Sequence, residues 1–532
     1  MKNQKRGQVC SLFLLCFLSM NTLFAQTSQV ETSKYERNSL SLHFLKFASG
    51  NSFSDQVLNS VKVSGKYDDN SLGSNILSIN VSEPGISAAP VAKGAKAVNK
   101  VDQEAASEFY ALLVKNIYEQ KIPNKILAKI LLNDQKVSSP DVLSQRGEYN
   151  ATDAQVLKAN ASKEGASLLR NNGLENMLKN VYFVVTQTGA IKSEYSKTAK
   201  ENMYSVSYKS YLIQVDLKDM LATNFWNDFW WSEPNEAKYN NFMNYKFPVK
   251  LISVTESAAA TSETKLELVG LKLEKKPKTQ DEITKELADQ TVSDALTTHS
   301  ANYDPFKVKT VVYTASPITA KIGKKEGLRI DDRYEVFENR MSETGEKSSV
   351  KMGYVRASKV VDNAKNADGK TEPSEFYKAS ARRVDKNMIL KEVPEKGIQI
   401  GAEDMFGSLD DGAKFNAVGV TADYVTHLWK GNRASVSAMT FKVDGYDDAF
   451  TFVAAEAKQI IQLNKLELMG SVGYLYDAKE REGEEKLSAL TASFKVGLDF
   501  GKNFQINAGP RMFMFPTGNV TAFSLGIRFA GF

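Results

Sequence analysis

The 532 residues, 42% hydrophobic and 25% charged, supply apolar surface for several cores, which excludes a disordered polymer or a disulfide-stapled mini-domain. Lys and Arg exceed Asp and Glu by only five, so the balance does not suit a nucleic-acid partner. Two cysteines and three widely separated histidines (His43, His299 and His427) exclude a disulfide framework and a histidine-rich metal centre.

The chain opens MKNQKRGQVCSLFLLCFLSMNTLFAQTSQ. Lys2, Lys5 and Arg6 precede an apolar run from Val9 to Phe24, followed by the small residue Ala25. That order matches a secretory signal peptide, with cleavage expected between Ala25 and Gln26. An uncleaved anchor helix fits less well, because Ser11, Ser19 and Asn21 interrupt a run short of the ~20 residues needed to span a bilayer. Neither Cys10 nor Cys16 follows the small residues that a lipid-modification site requires. Both cysteines lie within this peptide, so the processed chain would be cysteine-free and its net charge would fall from +5 to +2. Nothing after residue 25 approaches a transmembrane helix, so membrane entry would require a closed barrel.

Residues 26–100 form a strand-containing segment, with runs at 40–44 and 75–81, that ends in a Pro-, Gly-, Ala- and Lys-rich linker at 84–100. Residues 101–300 read as one α+β domain. Ala106, Phe109, Leu113 and Ile117 mark one face of a helix ended by Pro123, and Ile126, Leu127, Ile130 and Leu131 mark a second. Thr152 with Gln155, and Thr279 with Glu282, have capping-box spacing; the first predicts a helix past Leu169 and the second a helix carrying Ile283, Leu287, Val292 and Leu296. Strands are expected at 181–185, 246–255 and 264–274, and across 204–215, where Tyr204, Val206 and Tyr208 alternate before Tyr211, Ile213 and Val215 take the opposite phase. That slip predicts a bulge. Helices packed on one antiparallel sheet are the expected arrangement. Residues 301–397, with runs at 307–313, 334–338, 350–361 and 376–383, predict a small all-β barrel or sandwich of about five strands.

From 398 to 532 the alternation is sustained. Strands are expected at 398–407, 415–428, 432–443, 450–461, 466–476, 489–500, 504–514 and 521–529. Eight strands of this length make the smallest outer-membrane barrel. Glu456, Lys458, Glu467, Lys495, Asp499, Arg511 and Arg528 share the interior parity. Inside a narrow barrel such charges can pair, whereas a Lys or Arg set against lipid near the midplane would cost ~2–4 kcal/mol. The connections at 462–465 and 501–503 are short, while that at 477–486 is long and charged, as expected of periplasmic turns and a surface loop. The chain ends on the aromatic Phe532, which is out of phase with Phe523, Leu525, Ile527 and Phe529. A soluble barrel or sandwich would show the same alternation with its faces exchanged.

The segments YERNSLSLHFL at 35–45, QRGEYNATDAQVLKANASKEGASLL at 145–169 and FKVKTVVYTASPITAKIGKKEGLRIDDRYEVFE at 306–338 resemble uncharacterised exported and outer-membrane proteins of Bacteroidota bacteria. The resemblance implies an envelope location and no activity. The turn-rich module around Gly327, Tyr334 and Gly353 is similar to small β-domains of envelope assembly proteins.

No nucleophile elbow or phosphate-binding glycine loop is present. His299 ends a predicted helix, where it would favour the helix dipole. The Asp-rich turns at 410–412 and 444–448 read as turn chemistry before calcium ligands. Phe225, Trp226, Phe229, Trp230 and Trp231 gather three of the four tryptophans, either as a binding platform centred on Trp226, Trp230 and Trp231 or as a core plug.

The sequence thus predicts a multidomain α+β chain: a signal peptide (1–25), an N-terminal segment (26–100), a periplasmic α+β domain (101–300), a small β-module (301–397) and an eight-stranded antiparallel transmembrane β-barrel (398–532). The expected role is non-enzymatic, an outer-membrane protein of a Gram-negative envelope acting as a scaffold or assembly factor, with lipid and envelope proteins as partners and no cofactor. A surface adhesin or ligand-binding module using the barrel's outer loops, or a soluble secreted or periplasmic binding protein, are the alternatives.

Overall fold

The computed structural model describes residues 38–48, 52–79, 101–138, 177–231, 233–269, 272–341, 347–363, 372–395, 397–409, 412–445, 449–478, 487–500, 504–516 and 518–530. The export segment with Ala25 and Gln26, the 84–100 linker, the Thr152/Gln155 pair with its helix, Asp410 and Asp411, residues 446–448, most of the 477–486 loop, the 501–503 turn and Phe532 lie outside the described residues.

The N-terminal part is built around β1 (Ser39–Phe47), whose residues are buried on both faces. Leu40, Leu42 and Phe44 enter one core, while Leu45 and Phe47 enter another. Two apolar faces are what a strand at the centre of a layered domain requires. After α1 (Asp55–Ser60), β2 (Asp68–Asp69) and β3 (Ile76–Ile79) pair parallel to β1 on one side. On the other side β1 runs parallel to β4 (Val181–Ser196), which begins an antiparallel meander through β5 (Glu201–Val215) and β6 (Val249–Ser262). The sheet is therefore mixed, and the N-terminal segment belongs to the same sheet as the domain that follows it.

One face of the sheet is covered by α2 (Val101–Ala105), α3 (Glu108–Glu119) and α4 (Ile122–Leu131). Ser107 separates the first two by capping α3 through its hydroxyl, which accepts from the Tyr110 N–H. Pro123 sits in the first turn of α4, where a missing N–H costs nothing. Leu113, Ile117, Ile126, Leu127 and Ile130 have no exposed surface; each contributes ~1.5–3 kcal/mol by burial. The short helices α5 (Lys218–Ala222), α6 (Phe225–Asp228) and α7 (Glu236–Asn244) complete that layer. Beyond the hairpin of β7 (Thr264–Val269) and β8 (Lys272–Pro277), α8 (Gln280–Asn302) covers the opposite face and carries the Thr279/Glu282 capping box.

This layering accounts for the phase slip in β5. Val206 and Leu212 face the α8 core, whereas Tyr211, Ile213 and Val215 face the other. The strand is buried on one face at Val206 and Tyr208 and on both faces from Ser210 to Ile213. The bulges lie on its neighbours instead, at Gly189 and Ala190 in β4 and around Ile252 in β6.

The β-module is a seven-stranded antiparallel sheet, two strands more than expected. Its strands are β9 (Lys309–Val311), β10 (Thr314–Ala315), β11 (Ile318–Ala320), β12 (Arg333–Met341), β13 (Lys347–Lys359), β14 (Ser374–Lys378) and β15 (Ile389–Glu392), in the order β10-β11-β14-β13-β12-β15-β9. Gly353 (φ +133) lies at the β12–β13 bulge, where a Cβ would stand 2.5 Å from the Ala381 backbone.

The C-terminal barrel closes from β16 (Ile398–Ser408) through β17 (Lys414–Val425), β18 (Asn432–Val443), β19 (Phe450–Leu463), β20 (Leu466–Asp477), β21 (Ser488–Phe500) and β22 (Phe504–Phe515) to β23 (Gly518–Ala530), which pairs with β16. Following the register once around, through Tyr424, Ala434, Ala457, Val472, Ala492, Met512 and Thr521, carries Ile398 to Ser408. That stagger tilts the strands by about 40°. Outward positions include Val420, Val436, Val472, Phe494, Val496, Leu525 and Ile527, all exposed, whereas Glu403, Glu456, Arg511 and Arg528 are buried inside. An apolar exterior around a charged interior inverts a soluble fold and matches a membrane barrel.

Candidate functional site

Two charged tiers fill the half of the barrel nearest its short turns. In the inner tier Arg511 lies 2.6 Å from Glu403 and also pairs with Glu456, and its Nε donates to Thr491 Oγ1 at 3.2 Å. Lys495 joins the same Glu403, and Ser524 Oγ donates to it at 3.0 Å. In the tier nearer the turns, Lys458 pairs with Asp423 at 2.8 Å and Arg528 bridges Asp423 and Glu467. Asp499 accepts from Gln462 and Gln505. Lys458 also lies 3.9 Å from Glu456, which joins the two tiers, so six of the seven charges expected inside share one ion-pair network with Glu403 and Asp423, and Asp499 lies beside it on its two glutamines. A void of about 40 Å³ remains among them, room for a few waters and no pore. Toward the loop end the interior turns apolar, where Phe415, Phe441, Phe452 and Phe513 pack edge to face or tilted.

The short-turn mouth is where the β-module docks. Asp331, in the left-handed region at φ +67, directs its carboxylate into the barrel rim. It accepts from Arg433 at 2.7 Å, from the Gly431 N–H at 2.7 Å and from the Tyr377 hydroxyl at 2.6 Å. Burial alone would raise this carboxyl, but Arg433, Tyr377 and Arg356 hold it below the usual carboxylate range. Arg356 donates to the Asp331 carbonyl at 2.7 Å and lies 3.4 Å from Glu395. His427, in the turn between β17 and β18, bonds the Ile330 carbonyl at 2.6 Å, and Lys430 lies over the Tyr377 ring. Gln462 Nε2 donates to the Ala379 carbonyl at 3.0 Å.

A second joint ties the β-module to the α+β domain. Lys66 meets Glu392 at 2.6 Å, beside the Tyr67 ring, which stacks on Phe306 at 4.7 Å within the α8-side core. Between them lies a cavity of about 440 Å³ lined by Lys66, Asp289, Asp332, Arg333, Glu392 and Glu395. Arg333 pairs with Glu395 at 2.9 Å and Arg329 with Asp332 at 3.2 Å, so these charges are met within the protein. Burial raises Asp332 to about 6 despite Arg329. Among the described residues, no group of three His, Cys, Asp or Glu is placed to hold a metal ion.

The aromatic cluster is largely core. Phe225, Phe229 and Trp231 are buried, and the Trp231 indole N–H donates to the Lys136 carbonyl at 2.8 Å. Trp226 and Trp230 are half-buried against that core, 5.7 Å apart. His299 is fully buried rather than placed as a charge at the helix end: Ser210 Oγ lies 3.1 Å from its Nε2, and burial lowers it to about 3, leaving it neutral.

Sequence parity could have shown Asp423, whereas at Glu403 the adjacent carboxylate of Asp404 has the opposite parity. The Asp331 latch had no signal, because its partner lies about a hundred residues away in a different module.

No protein-family model matches the chain, and no curated protein does. Among solved structures it is similar to the N-terminal β-barrel domain of Pseudomonas aeruginosa OprF, at 12% identity over 25% of this chain and 97% of that one, with a TM-score of 0.21. It is also similar to OmpT, an outer membrane protein of Vibrio cholerae, at 10% identity over 42% of this chain and 91% of that one, with a TM-score of 0.13.

Proposed function

We propose that this is a non-enzymatic outer-membrane protein whose larger part lies in the periplasm and serves as an envelope scaffold or assembly factor through protein partners. The observation that carries this reading is the latch at the short-turn mouth. Asp331 fixes the β-module to Arg433 and Gly431, and Lys66 in turn fixes the α+β domain to the β-module. A barrel filled by ion pairs and aromatic rings is suited to anchoring, and a large globular part held against its rim is suited to presenting surfaces.

The test begins with the full protein in an outer-membrane fraction, where a closed barrel migrates differently on detergent gels before and after boiling. A fragment lacking 398–532 should then be released as a folded periplasmic protein that captures the same envelope proteins as the full chain. A folded fragment that captures none of them would sink the scaffold reading.

A further inference from the structure

Among the described strand residues, the outward face of the barrel is cationic at one place on its loop-end rim. Elsewhere the outward residues near the rim are aromatic or apolar, with Phe406, Tyr474, Tyr476, Leu490, Met512 and Phe523 exposed, or polar and uncharged, as at Ser408, Asn519 and Thr521. On β17, β18 and β19 it is instead Lys414, Asn416, Thr440, Lys442 and Thr451. Asn416 stands opposite Lys442 and Thr440 opposite Thr451, the two hydroxyls 3.5 Å apart. Lys414 is two residues from Asn416 on the same face, so the lysines are diagonal neighbours.

Three further observations give this patch a direction. At roughly 2.5 Å of axial rise per tilted residue, both lysines stand roughly 25–30 Å above Ile398, just beyond an apolar band of about 25 Å. The alternate residues Phe415, Phe441 and Val443 fill the interior at this level, so neither ammonium group can be met from inside the barrel. Among the described residues neither lysine has an ion pair within 4 Å; the exposed Asp444, whose N–H donates to the Lys414 carbonyl, is the carboxylate beside them. Below them four of the outward residues of β18 and β19 are alanines (Ala434, Ala438, Ala455 and Ala457), interrupted by Val436 and Val453, so the apolar band is shallower here than where Tyr, Phe and Leu project.

We propose that Lys414 and Lys442, with Asn416 and Thr440, bind the phosphate of a lipid headgroup in the loop-end leaflet, the lipid's acyl chains lying along these alanines. The lysine stems rest on the apolar band while their ammonium groups reach the headgroup level. This inference rests on the membrane reading above.

The experiment uses the full-length protein folded into phosphatidylcholine nanodiscs doped with diphosphoryl lipid A, with retained lipid counted by native mass spectrometry. The wild type should keep lipid A, and the Lys414→Gln/Lys442→Gln variant should keep at least fivefold less. Ala438→Phe, which fills this shallow stretch and leaves both lysines, should also lower retention, whereas Lys465→Gln at the other rim should not. Equal retention by wild type and the double variant would overturn the inference, as would release of the lipid by millimolar inorganic phosphate. A protein that enters the nanodisc with its heat-dependent gel shift but keeps no lipid A overturns this inference alone. One that shows no shift overturns the membrane reading as well.

Discussion

The carboxylate of Asp331 in the β-module lies 2.7 Å from the guanidinium of Arg433 in the barrel wall, with almost no solvent reaching either side chain. Removing one member of a buried pair leaves the other charge without compensation, which costs ~3–5 kcal/mol. Asp331→Asn keeps a residue that tolerates a left-handed backbone, so its loss should report the charge alone. We expect protease cleavage between the β-module and the barrel to accelerate markedly in Asp331→Asn, and the Asp331→Asn/Arg433→Met double variant to recover part of the resistance. Equal digestion of wild type and single variant would mean that the latch does not hold the joint.

Inside the barrel, Arg511 serves Glu403 and Glu456 together. Arg511→Met should destabilise the folded barrel by about 3–5 kcal/mol, because two carboxylates lose a shared cation. Adding Glu456→Gln should restore part of that loss. Urea titration of the heat-dependent gel shift measures both, and additive losses would argue against the pairing.

Asp404 points outward from the middle of β16, opposite Val418 and Leu525, inside the band that faces lipid. Asp404→Leu should stabilise the bilayer-inserted barrel by about 1–2 kcal/mol, less than the cost of a lysine at such a depth. Urea unfolding from vesicles reads the difference; a destabilised variant would show that this carboxylate has a partner in the membrane.

The α+β domain should be acid-sensitive. His43 and His299 titrate near 6.5 when unfolded but are held at about 3 by burial, with Lys125 adding to the effect at His43. Stability present above pH 6.5 is therefore lost as the pH falls from 6.5 toward 3, because only the unfolded chain takes up those protons. Asp332 in the β-module acts in the opposite sense: raised from 3.8 to about 6, it binds its proton in the folded state first, so that module gains stability as the pH falls from 6 to 4. Denaturant midpoints followed by tryptophan fluorescence should fall between pH 7 and 5, and His299→Gln should flatten the slope. An unchanged slope would place the acid sensitivity elsewhere.

The barrel was legible because an alternation of two lets an outward apolar residue follow an inward polar one along each strand. Arg433 gave less away, at the start of β18, and Glu403 was blurred by the adjacent Asp404, which faces lipid. The layered domain was read as antiparallel because β1 finds its parallel partner β4 well over a hundred residues later, and no local pattern announces such a pairing. His299 was read as a helix-end cation because the sequence shows its place in the helix and not the sheet that buries it. Asp331 sits in the pair Asp331-Asp332, which by itself suggests only a turn.

The register that joins Gln399 to Ala530 also sets an order of events. The first barrel strand has no partner on one edge until the eighth strand, more than a hundred residues later, has been delivered. Closure therefore waits on a long-range contact, which makes it slow, while the preceding domains complete their own sheets from segments that emerged earlier. Throughout that interval an unpaired edge and a row of outward apolar side chains stand open beside a finished domain, the two features through which an unclosed sheet pairs with other chains.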